Sequence, residues 1–203
     1  MTRWYKEKKR EHFYKEAKKK GFRARSAFKL LQIQKKFNVI KKGDFVFDLG
    51  AAPGGWSQVV RNLVGPAGKV IGIDLLHIEP LDGVVFLKED MTKDETLQKI
   101  LNVAGNQKAD VILSDMSPNI SGNYSIDQAR SVFLCEKALN TTKILLKPGG
   151  FFVCKIFEGE DLKIFLKKIE SDFKVVKQYN PAASRKSSSE VYIIGKYFLN
   201  KNL

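Results

Sequence analysis

The sequence predicts an α/β fold, a seven-stranded and mostly parallel sheet covered by helices on both faces, with its last strand antiparallel. Three observations predict it. Short β-branched or aromatic runs alternate with helical stretches from residue 43 onward. Most runs are separated by a helix-length segment, as parallel neighbours require. The last two have only the turn-rich stretch 180–189 between them, so they pair antiparallel.

In chain order, residues 3–20 read as a polar, basic helix interleaved with Trp4, Tyr5, Phe13 and Tyr14. A second helix follows Ser26, a candidate cap, with Phe28, Leu30, Leu31, Ile33 and Phe37 as its apolar stripe. Strands are expected at 45–49, 69–75, 84–87, 109–114, 150–157, 173–179 and 190–198. Helices are expected near 56–63, 93–103, 127–146 and 161–172. The 203 residues fit one domain with a core large enough to need no staple. No apolar run approaches the ~20 residues of a spanning helix. Cys135 and Cys154 stand far apart without ligand companions, so they read as buried free thiols and no metal is expected.

Charge is unevenly distributed. Residues 1–42 hold 16 Lys or Arg against 3 Glu, a balance of +13, whereas 43–203 hold 20 against 19 acidic residues, a balance of +1. A nearly neutral domain thus carries a basic leader suited to nucleic-acid phosphates. A solvated basic tail is the alternative. A transit peptide fits less well, because Glu7, Glu11 and Glu16 interrupt the stretch.

The sharpest motif is Asp48-Leu49-Gly50-Ala51-Ala52-Pro53-Gly54-Gly55-Trp56. It follows an apolar strand and opens a helix, so it lies at the carboxyl end of the first strand, where open α/β sheets bind ligands. Asp74 closes the second strand, where a carboxylate can accept from two ribose hydroxyls, and Asp90 follows the third. A dinucleotide fingerprint needs a second glycine two places after Gly50, and a P-loop needs a Lys in the turn; both are missing. The remaining reading is S-adenosylmethionine, which brings no phosphate and needs room for a sulfonium and an amino-acid tail.

Two charges interrupt apolar strands. Asp115 follows Val111-Ile112-Leu113-Ser114, and Lys155 divides Phe151-Phe152-Val153-Cys154 from Ile156-Phe157. A buried lysine costs desolvation unless it is paired or functional. If strands four and five are neighbours, both side chains meet at the mouth of the cofactor cleft. Methyl transfer to an alcohol needs a group that manages the hydroxyl proton. Lysine does so as a base only when deprotonated, which a nearby carboxylate opposes. Lys155 as base and Lys155 as orienter of the oxygen both stay open.

The strings DLGAAPGGWSQ (48–58), SDMSPNISG (114–122), KPGGFFVCKIFEGE (147–160) and SRKSSSEVYI (184–193), preceded by RARSAFKL (23–30), resemble the FtsJ/RlmE family of RNA ribose 2′-O-methyltransferases. The likeness runs from about residue 12 to 198. It implies the class I methyltransferase sheet and a Lys-Asp-Lys-Glu tetrad, here Lys29, Asp115, Lys155 and Glu190. It also implies S-adenosylmethionine contacts at Gly54, Trp56, Asp74, Asp90 and Asp115. With the rest of the loop and strand ends, the expected cofactor set is Gly50, Ala51, Pro53, Gly54, Gly55, Trp56, Asp74, Leu75, Asp90, Met91 and Asp115. Trp56 as a core aromatic is the competing reading. Some members carry a further RNA-binding domain after the last strand; without one, grip rests on 1–42, with Arg185 and Lys186. The expected partner is structured RNA, as ribosomal RNA or the large subunit and most simply a large-subunit uridine, with transfer RNA as the alternative. A non-catalytic RNA-binding assembly factor is the second class of function. A monomer in the cytoplasm is expected, with mitochondrion and nucleolus as alternatives.

Overall fold

In the computed structural model, which describes residues 13–184 and 189–200, the periodicities resolve into one sheet. Residues 13–19 are helical (α1), and α2 is Ala27–Phe37. There follow β1 Phe45–Leu49, α3 Gly55–Val64, β2 Lys69–Asp74, β3 Val85–Lys88, α4 Asp94–Ala104 and β4 Ala109–Ser114. The chain continues with α5 Tyr124–Leu145, β5 Leu146–Phe157, α6 Leu162–Asp172, β6 Phe173–Tyr179 and β7 Glu190–Phe198. The strand order is β3-β2-β1-β4-β5-β7-β6. All pairs are parallel except those of β7, which runs antiparallel to both β5 and β6. The order reverses between β1 and β4, which opens a crevice at their carboxyl ends.

Side-chain alternation divides the core in two. Phe47, Ile112, Phe152, Cys154 and Ile193 face α4, α5 and α6, where Ile100, Cys135, Leu139, Phe165 and Ile169 meet them. Val46, Val111, Val153, Tyr192 and Ile194 face α2 and α3, packing on Leu30, Ile33, Trp56 and Val60. Lys155 shares the parity of Val153, so it points to the α2 face, as do Glu190 and Tyr192. Burying each aliphatic side chain contributes roughly 1.5–3 kcal/mol.

Several boundaries differ from the sequence reading. Helix α5 starts at Tyr124 rather than 127, because the Asn123 side chain accepts from the N–H groups of Ser125 and Ile126. Strand β5 starts at Leu146 rather than 150, since Leu146 pairs with Ala109 before a register shift. Ser26 occupies the N-cap position of α2, yet its side chain makes no capping bond. Its carbonyl instead accepts from the Trp56 indole N–H at 2.9 Å. Strand β2 stops at Asp74 and leaves Leu75 exposed. The sequence readings for residues 1–12 and for Arg185 and Lys186 lie outside the described residues. Cys135 and Cys154 are buried free thiols, and the Cys135 thiol donates to the Lys155 carbonyl. Among the described residues, no helix is long and apolar enough to cross a membrane.

Candidate active site

The turn after β1 is pressed against the turn after β4. Gly50 has φ +77°, and a Cβ there would lie 2.8 Å from the Met116 nitrogen, so only glycine fits. The N–H groups of Gly50 and Ala51 both donate to the Ile73 carbonyl, tying the turn to the end of β2. Ala52 donates to Asp74 Oδ2 at 2.9 Å, and Leu76 donates to Oδ1 at 2.9 Å. Those bonds fix the Asp74 carboxylate in place. Asp90 Oδ1 accepts from the Thr92 hydroxyl and N–H, which holds its carboxyl below the usual range.

Gly50, Asp74, Leu75, Asp90 and Met91 line one cleft at this edge, together with Met116 and Leu134. The structure places the other expected cofactor residues differently. Ala51 is buried and packs toward Gly72, and Pro53 follows a cis peptide bond. Gly54 caps α3 with the Arg23 guanidinium over it, and Gly55 opens that helix against Ala24. The Trp56 indole belongs to the core, 5.7 Å from the Tyr192 ring. Beneath the turn, Asp48 is fully buried. Its Oδ2 accepts from the Ser57 hydroxyl at 2.6 Å, while its Oδ1 has no hydrogen-bond partner. Burial, against the Ser57 bond, pushes the Asp48 carboxyl up to about 7.

A second cluster stands beside the cleft, on the face toward α2. The Lys155 ammonium donates to the Asp115 carbonyl at 2.7 Å and lies 3.1 Å from Asp115 Oδ1. The register explains this meeting. Ser114 pairs with Cys154, so the next residue of each strand emerges at the same level. Lys29, on α2, forms an ion pair with Glu190, at the start of β7. Lys29, Lys155 and Glu190 are all buried. Burying charges rarely adds stability even when they are paired, so their retention points to chemistry.

Tyr192 joins the two pairs. Its hydroxyl donates to Asp115 Oδ1 at 2.7 Å, and the Lys29 ammonium lies 5.7 Å from its ring centroid. Burial raises the Tyr192 hydroxyl well above its ordinary value, so it remains a donor. Sequence reasoning missed Tyr192 and the orphaned oxygen of Asp48. The only signal for Tyr192 was its position two residues after Glu190, on the same strand face.

Known proteins resemble the chain in sequence and in fold. A family model described as FtsJ-like methyltransferase matches residues 22–198. A ribosomal RNA large subunit methyltransferase E of Methanosarcina acetivorans is 50% identical over 194 residues, covering 96% of this chain and 71% of the relative. A solved ribosomal RNA methyltransferase of Plasmodium falciparum superposes with a TM-score of 0.79 at 28% identity, covering 88% of this chain and 99% of that one. Fibrillarin of Aeropyrum pernix, solved with S-adenosyl-L-methionine bound, has a TM-score of 0.57 at 14% identity. It covers 84% of this chain and 76% of its own, a likeness of fold.

Proposed function

The chain belongs to the FtsJ-like methyltransferases, and from that premise we propose that it methylates a ribose 2′-hydroxyl of large-subunit ribosomal RNA with S-adenosylmethionine. The observation that carries the reading is the pairing of buried Lys155 with Asp115 beside the buried Lys29–Glu190 pair, at the mouth of the cleft after β1 and β4. The Methanosarcina relative, a ribosomal RNA large subunit methyltransferase, supports ribosomal RNA over the transfer-RNA alternative.

The residues present fit the cofactor. Asp74 and Asp90 bring carboxylates to the cleft for ribose hydroxyls and an adenine amino group, and Leu75 and Met91 offer apolar surface to the ring. The left-handed Gly50 leaves room where a side chain would intrude. The partnerless Oδ1 of Asp48 is an acceptor awaiting a donor, and an ammonium group would satisfy it. Gly54, Gly55 and the backbone of Trp56 present a helix N-terminus to a carboxylate. When bound, the cofactor supplies an electrophilic methyl group on a cationic sulfur.

The chain's own groups then act on the sugar oxygen. Lys155 donates to the Asp115 carbonyl and pairs with its carboxylate, so its head is fixed with N–H capacity left for substrate. We assign it the orienting role, holding the 2′-oxygen so that a lone pair faces the methyl group, with the hydroxyl proton released to solvent as the C–O bond forms. Asp115 in turn is held by the Tyr192 hydroxyl. Lys29 and Glu190 position the nucleotide from the α2 side. The basic segment 1–42, a leader on a single domain of 1–203, grips phosphates and gives the affinity its salt dependence. We assign the protein to the cytoplasm as a monomer.

Incubation with labelled methyl donor and either large-subunit particles or transfer RNA tests the reading. Label is expected in 2′-O-methylated nucleosides of the ribosomal RNA. Label in bases, or in transfer RNA alone, overturns it.

A further inference from the structure

Tyr124 is the first residue of α5, and the residue is 55% exposed. Its hydroxyl donates to the Glu158 carbonyl, three residues beyond Lys155. Its backbone is fixed at the other end of the side chain. Asn123 caps the helix. The Asp127 carboxylate accepts from the Ser121 N–H at 2.8 Å, the Ser121 hydroxyl at 2.7 Å and the Gly122 N–H at 3.2 Å. The guanidinium of Arg130 reaches the Asn119 carbonyl of the same loop. The ring therefore spans the segment leaving Asp115 and the segment leaving Lys155, tethered at both ends and open to solvent.

On the same loop Ile120 is 65% exposed, and Ile126, in the first turn of α5, is exposed as well. A flat ring and two aliphatic side chains left uncovered beside a catalytic pair, on a loop built to hold still, mark a contact surface. Anchoring the phenol oxygen alone would not call for so much exposed ring. A ring whose orientation is already fixed loses little freedom when something stacks on it.

What stacks there follows from the reaction. Lys155 is buried, so a ribose hydroxyl that reaches it belongs to a nucleotide drawn out of the regular helix, and the unpaired bases on either side need new partners. An aromatic face accepts any base, because every base has a π-face. We propose that Tyr124 is a stacking platform for an unpaired base of the substrate RNA, next to the nucleotide presented to Lys155. This rests on the RNA ribose reading above and adds a specificity-determining contact to it.

The test compares wild type with Tyr124→Ala, Tyr124→Phe and Tyr124→Trp in steady-state methyl transfer to naked large-subunit RNA and to assembled particles. Thermal melting and cofactor binding confirm that each variant is folded. For Tyr124→Ala, KM for RNA is expected to rise about 5- to 150-fold, the span a lost base–aromatic stack produces, with kcat unchanged. Tyr124→Trp is expected to restore KM, and Tyr124→Phe to lie near wild type, since the ring survives. An unchanged KM in Tyr124→Ala overturns the proposal, as does a Phe variant as impaired as Ala, which would make the hydroxyl tether the whole role. A defect on particles that is absent on naked RNA overturns it in favour of a protein contact. Wild-type protein inert on RNA overturns the function and this inference together; active wild type with an indifferent Tyr124→Ala overturns this inference alone.

Discussion

The Lys155 ammonium touches Asp115 twice, at the backbone carbonyl and at the carboxylate, so one residue fixes the lysine head by both its main chain and its side chain. Strand register brings them together, and Tyr192 reaches the same carboxylate oxygen from β7. The site is therefore built on rigid strand ends, and the changes that disturb it can be ranked.

Lys29 and Glu190 are both buried, and removing Lys29 takes one buried counter-charge from Glu190. Lys29→Met is expected to destabilise the fold by up to about 3–5 kcal/mol, with the double variant Lys29→Met/Glu190→Leu recovering much of it. Urea titration of the three proteins checks this. Both variants should remain inactive, which separates the pair's stability role from its part in holding the nucleotide.

Gly50→Ala places a methyl group 2.8 Å from the Met116 nitrogen at a φ of +77°. A loss of about 1–3 kcal/mol is expected from the strained backbone. Cofactor affinity should fall as well, since both Gly50 and Met116 line the cleft and relieving the clash moves one of them. Thermal melting with and without S-adenosylmethionine reads both effects.

Asp48 titrates near 7 in the folded chain, against 3.8 for an ordinary aspartate. Between those values the folded protein holds a proton that the unfolded chain has released. Its contribution to stability therefore falls as pH rises from about 4 to about 7, and is flat above. Measured across that window, wild type should lose stability relative to Asp48→Asn. If the carboxylate meets the cofactor's ammonium, binding favours the ionised form. Wild-type affinity should then rise toward pH 8 and that of Asp48→Asn should not, which calorimetry at several pH values would detect.

Much of this was legible in advance, for identifiable reasons. Asp115 and Lys155 stood out because charges are anomalous in apolar strands, and strand order alone then made them neighbours. Lys29 and Glu190 carried no such mark. Each looks like a solvated charge until α2 packs across β7, and only family likeness pointed to them. Tyr192 was invisible because tyrosine is ordinary in a strand. Trp56 was ambiguous, and its indole packs in the core against α2 and Tyr192. The element boundaries that moved did so for tertiary or capping reasons, Asn123 at the start of α5 and the Leu146–Ala109 pairing at the start of β5. Neither is visible in hydrophobic periodicity.

The basic leader makes an ionic prediction. Lys18 and Lys19 lie on or beside α1, and replacing both by Gln should weaken binding to any RNA alike. The slope of log affinity against log salt should shrink by about 1.4 to 1.8, two phosphate contacts' worth. Filter binding across a salt series measures it, with kcat at saturating RNA unchanged.

Single-turnover methyl transfer by Lys155→Ala, with cofactor binding measured in parallel, tests the central claim most directly. The account expects a rate lower by about 10²-fold or more, the cost of losing the group that positions a reacting atom, with cofactor affinity near wild type. A Lys155→Ala protein that still methylates ribose at the wild-type rate would contradict it.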